Sequence, residues 1–153
     1  MAHDHTHIDI GSALAAATTH CSEVGETLTP LRRRVLELLL ARRGPAKAYD
    51  LLADMGDASG PAKPPSVYRA LEFLVRLGLA HRLESVNAFV ACDIGSCARA
   101  KIFLICDQCG QVTEVDAGHA QLDIEEAALR DQFAIKRAVL EASGLCHACR
   151  SAA

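Results

Sequence analysis

Cys106-Asp107-Gln108-Cys109 and Cys146-His147-Ala148-Cys149 are two Cys-x-x-Cys pairs with 36 residues between them. They constrain the last third of the chain more tightly than any hydrophobic pattern in it. Two cysteines three apart on a tight turn bind one ion together, and two such pairs complete the four-sulfur tetrahedron that Zn²⁺ favours. The rival is a thioredoxin-like dithiol, which needs a single Cys-x-x-Cys after a strand and opening a helix. Here each pair sits at a knuckle, with Gly110 after the first and Gly144-Leu145 before the second. Doubling favours structural zinc. The segment between the pairs reads as a compact α+β unit closed by that metal.

The cysteine count has to be read against the compartment. No apolar run reaches the ~18–20 residues of a membrane span. The first residues, Met1-Ala-His-Asp-His-Thr-His, lack the basic-then-apolar layout of a secretory signal. The expectation is a cytoplasmic chain, where seven cysteines are metal ligands or redox thiols before they are a disulfide framework. The chain's 153 residues suit one large domain or two small ones.

Net charge is −3, which taken alone argues against a polyanionic partner, but its distribution is uneven. Leu28 to Arg82 carries ten Lys/Arg against five acids and nets +5, which leaves −8 for the rest. A basic segment inside an acidic chain is an electrostatic footprint for a polyanion.

That basic segment reads as helices followed by a ribbon. An Ala-rich helix over Ser12–Val24 is expected, capped at Ser12. Thr29-Pro30 is a strong start signal for a second helix, to about Arg42, with Val35, Leu36, Leu39 and Leu40 inward. A third runs Ala46–Met55, and the two Gly and three Pro of Gly56–Pro65 make a loop. Ser66 is expected to cap a fourth helix that Gly78 closes, with Val67, Ala70, Leu71, Leu74, Val75 and Leu77 apolar. Two short strands, Ala80–Ser85 and Asn87–Cys92, follow. Helices leading into a two-stranded ribbon describe a winged helix-turn-helix. The second half reads as strands Ile102–Ile105 and Gln111–Val115, a helix His119–Gln132 and a strand Ala134–Ala142. The domains expected are 1–92, beginning with a His-rich tail over 1–11, a hinge over 93–100, and 101–153.

In helix-turn-helix proteins the first residues of the last helix meet base edges in the major groove. Tyr68 and Arg69 occupy that place. Arg69 suits guanine O6/N7 or a phosphate, and Tyr68 a thymine methyl and the backbone. Tyr49 and the run from Arg32 to Arg34 suit phosphates. The bland alternative is a solvated amphipathic helix, and winged helices also bind proteins. Further metal-ligand types are scattered: His81, Cys92, Asp93, Cys97, Glu114 and His119, with His3, His5 and His7 in the tail and the pair His20-Cys21. Singly each has a bland reading, since a free Cys is usually a small core hydrophobe. Together, ligands from both halves would couple domain orientation to metal occupancy, as a sensor requires.

Leu28-Thr29-Pro30-Leu31-Arg32, Lys63-Pro64-Pro65-Ser66-Val67-Tyr68-Arg69-Ala70-Leu71 and Phe103-Leu104-Ile105-Cys106-Asp107-Gln108-Cys109-Gly110 together resemble the ferric uptake regulator family. Ala48-Tyr49-Asp50-Leu51-Leu52 and Gly144-Leu145-Cys146-His147-Ala148-Cys149 look most like its zinc-responsive branch, and the likeness covers roughly Thr27 to Cys149. The resemblance implies a homodimeric repressor of zinc-uptake genes, without catalytic residues, that binds operator DNA through Tyr68 and Arg69. It implies two zinc ions per chain. The structural one lies on Cys106, Cys109, Cys146 and Cys149; the regulatory one lies on His81, Cys92, a hinge ligand and Glu114. The hinge ligand is His in the family pattern. This sequence has no His between His81 and His119, so Cys97 is the replacement. Two thiolates suit Zn²⁺ better than Fe²⁺ or Mn²⁺. The alternatives are an iron or peroxide sensor of the same family, a redox switch through Cys92 and Cys97, and a zinc-dependent thiol enzyme.

Overall fold

Asp9, two residues before the first glycine, starts the first helix. Its carboxylate accepts from the Gly11 N–H at 3.1 Å and from the Ser12 hydroxyl at 2.6 Å. Ser12 is therefore inside the helix, and the cap expected there lies three residues earlier. The computed structural model describes residues 9–42, 44–56, 63–92, 100–136 and 138–152. Its elements are α1 (Ile10–Glu23), α2 (Pro30–Ala41), α3 (Ala48–Asp54), α4 (Pro64–Arg76), β1 (Ala80–Leu83) and β2 (Ala88–Ala91). They continue as β3 (Lys101–Cys106), β4 (Val112–Asp116), α5 (His119–Arg130), β5 (Val139–Gly144) and α6 (His147–Ser151). Two compact units result, one carrying α1 to β2 and the other β3 to α6.

In the first unit, Thr29 caps α2 and Pro30 fills its first turn, as the sequence leads one to expect. α4 begins at Pro64, with Lys63 rather than Ser66 before it. Proline costs nothing in a first turn, where its missing N–H would have had no helical partner. α4 ends in a Schellman closure: Gly78 N–H bonds Val75 O at 3.1 Å and Leu79 N–H bonds Leu74 O at 2.8 Å. Gly78 takes the left-handed φ of 71° that this closure needs.

α4 buries Val67, Ala70, Leu71, Phe73 and Leu74 against α2 and α3. From α2 the same core takes Val35, Leu36 and Leu39, and from α1 Leu14, Ala17 and Cys21. Cys21, 1 % exposed, is a core thiol. His20 places Nε2 3.1 Å from the Leu77 carbonyl and ties α1 to the end of α4. This pair is thus spent on packing.

α3 is shorter than expected at its start. Ala46 instead makes a two-way backbone bridge with Phe89, at 2.9 and 2.8 Å, closing the segment before α3 onto the wing. β1 and β2 pair antiparallel, with His81 opposite Val90. A turn over residues 84–87 joins them, with Asn87 at positive φ.

The second unit is a three-stranded sheet in the order β4-β3-β5, antiparallel on one side of β3 and parallel on the other. β5 starts five residues later than the strand expected at Ala134. Buried among its described residues are Phe103, Ile105, Cys106 and Ala117, together with one charged side chain, Lys101. α5 buries no residue of its own within the unit. No helix among the described residues is long and apolar enough to cross a membrane.

Candidate metal centres and nucleic-acid face

The β3–β4 turn and the N-terminus of α6 bring the two Cys-x-x-Cys pairs together. Gly110 follows the first pair at φ 73°, and its N–H returns to the Cys106 carbonyl at 2.9 Å, closing the knuckle. Asp107 N–H bonds the Gly144 carbonyl at 2.8 Å, which anchors that knuckle beside the second pair. The four Sγ atoms of Cys106, Cys109, Cys146 and Cys149 lie within 4.8 Å of one another. Cys109 and Cys146 sulfurs are 3.7 Å apart. A regular ZnS₄ tetrahedron with Zn–S of ~2.3 Å has edges of about 3.8 Å, so the donor set fits zinc.

Backbone amides tune these sulfurs. Cys146 N–H points at Cys106 Sγ (3.4 Å) and Cys149 N–H at Cys146 Sγ (3.5 Å). The Cys146 amide, with those of Cys109 and Gln108, brings the Cys106 thiol down to about 6. The neighbouring Cys146 sulfur pushes Cys149 up to about 12. Crowded sulfurs without a cation among them hold on to protons. A divalent ion reverses that by ionising its ligands.

The other predicted ligands are distributed over both units. On the ribbon, His81 lies opposite Val90, and Cys92 N–H bonds Leu79 O at 3.0 Å, extending the pairing by one position. Because side chains two apart share a face, His81 and Cys92 are diagonal neighbours on one side of the wing. The His81 Nε2 is buried and Cys92 is 3 % exposed. Cys92 is disulfide-bonded. Glu114 sits on β4 opposite Phe103, its Oε1 3.3 Å from Lys101 Nζ. Cys97, Asp93 and the tail histidines His3, His5 and His7 lie outside the described residues. His119, at the first position of α5, is exposed.

On the first unit, α4 turns Tyr68 and Arg69 outward, and Tyr68 is 51 % exposed. Tyr49, at the start of α3, is 77 % exposed. A solvent-facing tyrosine wastes apolar area unless something covers it. Two of them, with the exposed Arg69, lie on α3 and α4. Arg32 differs. Its guanidinium lies 3.6 Å from the Phe73 ring centroid and donates to the Thr27 carbonyl at 2.7 Å. Arg76 approaches the same ring at 5.3 Å. Phe73, absent from the expected apolar set, is the aromatic anchor between two arginines. Its signal was its one-residue offset from Leu74 on a face already crowded with Leu and Val.

A family model described as the ferric uptake regulator family matches residues 23–143. The chain belongs to the ferric uptake regulator family. Within it, the chain is 40 % identical over 137 residues to the zinc uptake regulation protein of Escherichia coli strain K12, covering 89 % of this chain and 80 % of that one. Among solved structures, a zinc uptake regulator complexed with zinc and DNA matches with TM-score 0.86 and 37 % identity, over 95 % of this chain and 98 % of the other. Holo XcZur matches with TM-score 0.79 and 41 % identity, over 92 % and 98 %. These likenesses put this member of the family in its zinc uptake regulator branch, as the sequence motifs led one to expect.

Proposed function

We propose that this family member is a cytoplasmic zinc-responsive repressor that binds operator DNA as a zinc-loaded homodimer and shuts off zinc uptake. One observation carries the reading: its near full-length likeness, at 37 % identity, to a regulator solved with zinc and DNA. The sulfur tetrahedron of Cys106, Cys109, Cys146 and Cys149 supports a structural zinc. The second zinc is assigned to His81, Cys92, Cys97 and Glu114, a donor set of two sulfurs, one nitrogen and one oxygen that suits Zn²⁺ over harder ions. The placing of His81 and Cys92 as wing neighbours supports it.

Tyr68 and Arg69 are assigned to base edges, with Tyr49 beside them. Arg32, engaged with Phe73, is assigned to a phosphate only through whatever its packing leaves to solvent. A zinc ion tying wing to second unit would hold two recognition helices at the spacing of two half-sites, and its loss would release them.

The homodimer is assigned to α5. Leu122, Leu129 and Phe133 are 59 %, 80 % and 69 % exposed, and a groove there is lined by Ile124, Ala128 and Ile135. A unit of this size, with so few buried side chains, needs metal or a second copy to complete its core.

Treating the reduced protein with a moderate chelator tests the reading. It should remove one zinc per chain, leave one, and abolish DNA binding, which added zinc restores. Arg69→Ala should lose DNA while keeping both ions. DNA binding that persists after the first zinc has gone contradicts the proposal.

The disulfide at Cys92 favours a second reading, in which Cys92 and Cys97 are a redox couple. Peroxide would take two electrons from the two thiols, expel the regulatory zinc and derepress. If peroxide-treated protein keeps its second zinc, this reading fails and the first stands alone.

A further inference from the structure

Phe73 stands apart from the other buried side chains of α4, because arginines cover it. It lies one turn after Arg69 and one turn before Arg76, so the three share a flank of the helix. Arg69 and Arg76 are exposed, whereas Phe73 is only 3 % exposed. The Arg32 guanidinium, from α2, lies over its ring at 3.6 Å from the centroid, and that of Arg76 lies at 5.3 Å. Each arginine has a second hold, on the turn between α1 and α2. Arg32 Nη1 donates to the Thr27 carbonyl at 2.7 Å, and Arg76 Nη1 donates to Glu26 Oε1 at 2.8 Å.

We propose that Phe73 and Arg32 are positioning residues for DNA recognition, locking α4 to the α1–α2 turn and so fixing where Arg69 points; this rests on the assignment of Arg69 to base edges. A cation over an aromatic face is worth most where water is kept out, and Phe73 is almost wholly covered. A guanidinium stacks flat on a ring while its N–H fork stays free for a carbonyl, which an ammonium cannot imitate. Arg76 and Glu26 form a second tether. The Glu26 carboxylate, 32 % exposed, also offsets the repulsion between two guanidiniums at one ring.

A leucine at position 73 would fill the core but hold neither arginine. A helix seated by apolar packing alone loses uniqueness of orientation before it loses stability. Any turn of α4 about its axis carries Arg69 with Phe73, because they share a flank. Bidentate base contacts are directional and suffer from such a turn, whereas attraction to phosphates carries no sequence information and survives it.

The test is binding of zinc-loaded, reduced, full-length protein to two duplexes over a range of salt. One duplex is selected from random sequence by the unaltered protein, and the other is its scrambled counterpart. Thermal melting by circular dichroism, measured alongside, confines the comparison to temperatures at which every variant is folded. Arg32→Lys keeps the charge and loses the flat stack. It should weaken binding to the selected duplex by about two- to thirty-fold, the range of one cation–π contact. Binding to the scrambled duplex, and the slope of log affinity against log salt, should not change. Phe73→Leu should do the same with both arginines present.

An Arg32→Lys protein that binds the selected duplex normally overturns the proposal, as does one weakened equally on both duplexes. An Arg32→Ala protein whose salt slope is shallower by about one makes Arg32 a phosphate contact instead. A Phe73→Leu protein that discriminates fully removes the ring from the device. If Arg69→Ala still prefers the selected duplex, the assignment of Arg69 to base edges fails, and this proposal with it.

Discussion

Four sulfurs drawn within 4.8 Å repel one another as thiolates, and this chain nevertheless builds them so close that one pair sits at tetrahedral spacing. The fold accepts that cost at Cys106 by aiming backbone amides at it, and leaves Cys149 to be ionised by the metal. This site was fully legible in the sequence because Cys-x-x-Cys is a local geometry, set by a turn and a glycine. Arg32 was not legible in the same way. Its role depends on α2 crossing α4 so that Phe73 falls under the guanidinium, a tertiary event that no window of sequence contains. Cys97 belongs to the same class, since a ligand is defined by what surrounds it. Cys97→Ser is expected to weaken the second zinc on the order of 10–100-fold, because a serine hydroxyl is a poor ligand beside a thiolate. Metal analysis should still return one tightly held zinc per chain. An unchanged second affinity removes Cys97 from the set.

At the scale of elements, most boundaries followed from punctuation, and the misses have specific causes. Ser12 and Ser66 are good caps, but Asp9 caps the Gly11 amide and starts the helix earlier, and Pro64-Pro65 needs no side-chain cap to enter a helix. Ala46 has helical propensity, yet pairing with Phe89 satisfies both of its backbone groups at the wing. β5 starts later than its sequence suggests, because Ala134–Ala142 is apolar enough for a strand at either position. Pairing with β3, register Lys101 to Val139 through Cys106 to Gly144, decides it. α4 carries the first unit's core, and Leu71 in it is fully buried. Leu71→Ala should cost about 2–5 kcal/mol of stability, read by denaturant unfolding. The zinc on the four cysteines, in the other unit, should be retained; its loss would mean that the two units do not hold their structure independently.

Over the whole molecule, the chain divides into two compact units, the second carrying the four-cysteine cluster, and the basic stretch Leu28–Arg82 falls within the first. The proposed dimer face is less visible in the sequence. The sequence reads His119–Gln132 simply as a helix, and only the structure shows that Leu129 is left 80 % exposed. An exposed apolar patch of this kind marks an interaction surface, and the homodimer is proposed to use it. Leu129→Glu should shift the protein towards monomer in sedimentation and weaken operator binding, since a monomer meets one half-site at a time. A Leu129→Glu protein that remains dimeric moves the interface elsewhere. Zinc sensed apart from the sulfur tetrahedron is proposed to gate DNA binding. The most direct measurement is operator affinity titrated against buffered free zinc in reduced protein, with Fe²⁺ and Mn²⁺ as comparisons. Affinity should rise steeply with zinc, at constant occupancy of the four-cysteine site, and respond little to the other two metals. Affinity that ignores free zinc, or that rises equally with iron or manganese, would contradict it.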